Sequence, residues 1–99
     1  MDDIALDAQL RRLSAGEEVS VTFKNVLFRC CRYDLWYFFM TKIPMQEINL
    51  SAWLYNNSET LDSDEQMLSF RGEIYFCVLL KKPNIAQIYG RAIKHIEQC

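Results

Sequence analysis

The sequence has little of what catalytic and metal sites are usually built from. It contains one histidine, His95, and three glycines, Gly16, Gly72 and Gly90, spaced far apart. A loop that cradles phosphate needs clustered glycines ahead of a helix, so none is encoded. There is no Cys-x-x-Cys, and with a single histidine the usual zinc spacings are missing. Asp62-x-Asp64 lacks the glycine and the distal glutamate of a calcium loop. A histidine base needs a nucleophile or a second acid at a recognisable spacing, and His95 has neither. It reads as an exposed residue near a helix C-terminus, where positive charge is favoured. These absences argue against an enzyme and against any cofactor.

Long apolar runs and an excess of basic charge are also missing. Leu35-Trp36-Tyr37-Phe38-Phe39-Met40 is apolar throughout but far shorter than the roughly 20 residues of a membrane helix. Met1-Asp2-Asp3 opens the chain with acids, so no signal peptide is expected. The net charge of −2 argues against nucleic acid and against an anionic membrane surface. The four cysteines, Cys30, Cys31, Cys77 and Cys99, do not form a disulfide framework. Adjacent Cys30 and Cys31 would point to opposite faces of a strand. The expectation is a cytoplasmic protein with reduced thiols.

What the chain does have is apolar and aromatic mass. Its 99 residues, 51% hydrophobic and 13% aromatic, are enough for a single domain with a real core. Residues 3 to 14 read as a helix, capped by Asp2 or Asp3 and stopped by Gly16. Val19, Val21 and Phe23 alternate with Ser20, Thr22 and Lys24, which predicts a strand with one wet face. Asn25 makes the next turn, residues 26 to 33 a second strand, and Asp34 another turn. Leu35 to Thr41 is the third strand, with Pro44 beyond its end. Residues 46 to 56 fit a short helix. Residues 66 to 71 fit a short strand or a helical turn, and Ser63-x-x-Gln66 is a point for the turn. Ile74 to Leu80 is a strand apolar on both faces. Asn84 then caps a last helix whose stripe is Ile85, Ile88, Tyr89, Ala92, Ile93 and Ile96. The pattern predicts an α+β domain with an antiparallel four- to five-stranded sheet and helices on one face.

Helices on one face leave a question about the other. In the central strand Leu35, Tyr37 and Phe39 point one way, and Trp36, Phe38 and Met40 the other. An apolar second face is either covered by the middle segment or marks an interaction surface. Trp53 and Tyr55 are the expected partner-binding anchors, with Trp36 and Tyr75 in support, because aromatics dominate interface hot spots. Glu59, Asp62, Asp64 and Glu65 form an acidic connector, read as a solvated loop or as a patch that steers a basic partner. Phe28, Arg29, Arg32, Tyr33 and Trp36 interleave bases with aromatics as single-strand binders do. Two arginines on an outer strand of a meander account for the same pattern.

The element order, read from Ile4–Leu13, Val19–Phe23, Leu27–Tyr33, Leu35–Met40, Ile48–Tyr55, Met67–Arg71, Ile74–Leu80 and Ile85–Ile96, resembles the class I chaperones of type III secretion. The resemblance spans the chain and carries no sequence motif. It implies a small, acidic, cytosolic homodimer that holds an extended effector segment on apolar patches without ATP. The dimer contact would fall on Ile48–Tyr55. The alternative is a phage- or plasmid-encoded inhibitor or immunity protein that blocks a folded target. A third alternative is a transcriptional or signalling regulator.

Overall fold

A computed structural model describes residues 2–44 and 64–97. The elements are α1 (Asp3–Arg11), β1 (Glu18–Phe23), β2 (Val26–Tyr33), β3 (Trp36–Ile43), β4 (Glu65–Phe70), β5 (Glu73–Leu80) and α2 (Ile85–Glu97). The strands form one antiparallel sheet in the order β1-β2-β3-β5-β4. The domain is α+β with five strands, as its pattern predicts. The segment expected as a middle helix, residues 46 to 56, lies outside the described residues.

Local chemistry sets the element ends. Asp2 caps α1, its Oδ1 accepting from the Ala5 N–H at 2.7 Å. Asn84 does the same for α2, accepting from the Gln87 N–H at 3.2 Å. Hairpin β1–β2 turns through Lys24 and Asn25, and β4–β5 through Arg71 and Gly72. All four residues sit at positive φ, as tight primed turns require. Asn and Gly adopt that region readily; Lys24 and Arg71 adopt it at a cost that strand pairing offsets.

Alternation then sorts the side chains. Val21 of β1, Phe28 and Cys30 of β2, Tyr37, Phe39 and Ile43 of β3, and Ile74, Phe76 and Val78 of β5 are buried on one face. Leu6 and Leu10 of α1 and Ile85, Ile88 and Ala92 of α2 complete the same core. Fully burying a large apolar side chain contributes about 1.5–3 kcal/mol, so this layer is a major source of favourable free energy. The two helices are stitched together where Asp7 Oδ1 accepts from the Ile85 N–H at 2.8 Å. Arg32 ties the chain just beyond α1 to the sheet, donating from Nη1 to the Leu13 carbonyl at 2.7 Å.

Several expectations need correction. Leu35 is not part of the central strand. It sits in the turn after Asp34 and is 71% exposed, while β3 runs on to Ile43. Residues 66 to 71, open in the sequence between a short strand and a helical turn, are decided by the sheet. Pairing with β5, from Glu65↔Val78 to Phe70↔Glu73, makes them a strand. His95 is not exposed. It is buried and stacks on Phe76 with ring centroids 5.2 Å apart. β2 is not an outer strand, and Arg29 and Arg32 point to opposite faces, so they form no common basic patch.

Candidate protein-binding face

Both helices pack on the Phe28–Phe39–Phe76 side of the sheet. The opposite face carries Trp36, Phe38 and Met40 of β3, Tyr75, Cys77 and Leu79 of β5, and Leu68 and Phe70 of β4. None of these eight belongs to the helix-side core cluster, although Cys77 is itself buried. Register makes them contiguous. Phe38 stands opposite Cys31 on one side and Leu79 on the other. Met40 stands opposite Arg29 and Cys77, and Tyr75 opposite Lys42 and Leu68. Phe70 and Leu68, 60% and 42% exposed, carry the apolar band out to the sheet edge.

Charge frames the band. Glu18 of β1 accepts from Arg29 Nε at 2.7 Å. Lys42 Nζ lies 2.8 Å from Glu73 Oε1, and the Tyr75 hydroxyl donates to Glu73 Oε2 at 2.6 Å. Lys42 hydrogen-bonded to Glu73 holds that carboxyl below its usual range. The Lys81 ammonium sits over the Trp36 ring, 5.4 Å from its centroid. One pocket on this face is lined by Glu18, Arg29, Cys31, Phe38 and Met40, and another by Trp36, Phe38, Gln66, Cys77 and Leu79. The arrangement offers apolar contact at the centre and ion pairs at the rim, the anatomy of a protein interface.

The residues singled out in the sequence divide three ways. Trp36 and Tyr75 lie on this one face, on neighbouring strands. Trp53, Tyr55, Glu59 and Asp62 lie outside the described residues. Asp64 and Glu65 do not belong to a solvated loop: Arg91 of α2 binds both. Its Nη2 donates to Asp64 Oδ1 at 2.5 Å, and its Nε donates to Glu65 Oε1. The Glu65 side chain is only 3% exposed. The hydrogen bond from Arg91 holds the Asp64 carboxyl below its ordinary value. His95 joins the group, its Nε2 3.9 Å from Glu65 Oε2, and burial pushes its pKa down. This cluster had no signal in the sequence, since its partners are separated by at least 26 residues. Leu68 and Phe70 were missed because their strand is weakly patterned by itself.

Comparison with protein-family models, with curated proteins and with solved structures finds no match. Among the described residues, no helix is long and apolar enough to cross a membrane.

Proposed function

We propose that this protein is a non-catalytic protein-binding module that takes an apolar segment of a partner polypeptide on the outer face of its sheet, in the manner of a small secretion chaperone. The observation that carries this is the contiguous Trp36–Phe38–Met40–Leu79–Tyr75 band on the face that α1 and α2 do not use. Apolar contacts of this kind grip extended chains with little demand for a particular sequence, which suits a holding role. A homodimer fits the same reading by presenting two such bands.

The inhibitor alternative relies on a free acidic surface to steer it to a basic target. Asp64 and Glu65 share one guanidinium, that of Arg91, which reduces the acidic charge they offer a basic target and favours the segment-holding reading over it. A test is to titrate the protein with a permanently unfolded, apolar polypeptide and follow binding by anisotropy. Phe38→Asp, on the outer face and outside the core, is expected to abolish binding and leave the melt close to that of the parent. No affinity for the unfolded chain would overturn the proposal. Tight binding to a folded target alone would turn it into the inhibitor reading.

A further inference from the structure

We infer that the β4 edge is a self-pairing surface, on which a second copy of this chain lays its own β4 antiparallel and extends the sheet across a twofold axis. This goes beyond binding on the sheet face, because it uses backbone groups at the edge. The two can fail separately: self-pairing is read by mass, partner binding by anisotropy.

Edge strands normally carry protection against such pairing, in the form of charges, proline, bulges or polar faces. β1 has it: Glu18, Ser20 and Thr22 make its exposed side polar. β4 does not. Its register with β5 is unbroken over six pairs, so it has no bulge. It contains no proline, and its one charged residue, Glu65, points inward to Arg91 at the very start of the strand, so the stretch from Gln66 to Phe70 carries no charge. Leu68 and Phe70 stand exposed along it.

Geometry fixes which backbone groups are on offer. The two-residue turn Arg71–Gly72 closes on Phe70 and Glu73 as a directly hydrogen-bonded pair, and the Leu79 N–H donating to the Asp64 carbonyl at 3.2 Å continues that phase. Gln66, Leu68 and Phe70 therefore aim their N–H and C=O groups at β5. Met67 and Ser69 aim theirs away from the sheet. A second strand satisfies such a row with a continuous ladder.

Charge selects the strand. β4 begins with Asp64 and Glu65 and is followed by Arg71. An antiparallel copy brings its Arg71 beside Asp64, whose side chain stays 36% exposed, and a parallel one sets like beside like. With Leu68 on the twofold axis, Leu68 meets its own copy and Phe70 meets Gln66. Met67 then exchanges both backbone hydrogen bonds with Ser69 of the second copy. The outer faces of the two copies become one continuous band.

Four variants of the chain test this at micromolar concentration by light scattering and by cross-linking. The parent is expected to be a dimer. Ser69→Pro removes an N–H that β5 does not use, so the sheet keeps its ladder and the mass halves to that of one chain. Ser20→Pro makes the same change at the β1 edge and is expected to leave the dimer intact. Leu68→Cys puts thiols on the axis at a non-hydrogen-bonded pair, within disulfide reach, and is expected to cross-link under mild oxidation. Gln66→Cys is not. A monomeric parent overturns the inference, as does a folded Ser69→Pro that stays dimeric. If Ser69→Pro fails to fold, the cross-link decides, and a dimer in which Leu68→Cys does not cross-link overturns it equally.

Discussion

Arg91 on α2 grips Asp64 at the head of β4 with both terminal nitrogens, Nη2 to Oδ1 at 2.5 Å and Nη1 to Oδ2 at 3.3 Å. Its Nε donates to the neighbouring Glu65. One guanidinium thus pins the last-paired edge strand to the last helix. A lysine has no such fork and could not hold both carboxylates.

Removing that guanidinium takes a charge partner from Glu65, a nearly buried carboxylate. Breaking a buried pair from one side costs about 3 kcal/mol or more. Arg91→Ala is expected to destabilise the domain by about that amount, and Arg91→Lys to recover only part of it. Urea unfolding of the three proteins is the measurement. A change within about 0.5 kcal/mol, the usual size of a surface substitution, would show that the cluster contributes nothing.

His95 makes stability pH-dependent. Burial lowers its pKa in the folded state, so the unfolded chain takes up the proton first. Its contribution is fully present above the unfolded value of 6.5 and is lost as pH falls through and below it. Asp64, also lowered, adds a second loss below its ordinary 3.8. Melting temperature is expected to fall between pH 7 and 5, and His95→Gln to flatten that part of the profile while leaving the acid limb.

Gly90 lies inside α2, exposed, and a Cβ there meets no atom within 4 Å. Gly90→Ala is expected to stabilise by about 0.5–1 kcal/mol, the helix-propensity difference. Calorimetry should show a rise of several degrees. A fall would mean that the glycine serves something other than the helix.

The thiols are expected to react in a set order. Burial pushes Cys30 up to about 12 and Cys77 up to about 11, and both are essentially inaccessible. Cys31, on the other face of β2, is half-buried. A short alkylation pulse read by mass spectrometry should label Cys31 well before Cys30 or Cys77. All four cysteines should react in the denatured, unreduced chain; finding two blocked would contradict the free thiols seen at Cys30, Cys31 and Cys77.

The elements whose causes are local were legible in the sequence. Asp2 and Asn84 cap their helices through bonds spanning three residues, and Asn25 and Gly72 turn their hairpins. The two-residue period of Val19–Phe23 and Trp36–Met40 assigned side chains to faces, because a strand leaves them no other choice. Tertiary structure decided what depends on residues far apart. Gln66–Phe70 has no strong preference alone and became a strand because β5 offered it a ladder. β5 inserts between β3 and β4, an order that no local pattern encodes. His95 was placed inside by the docking of α2 against Phe76, and the charges of Asp64 and Glu65 were drawn inward by Arg91. Conformational preference acts over a few residues, whereas burial and charge pairing act between whichever residues the packed sheet brings within a few ångströms.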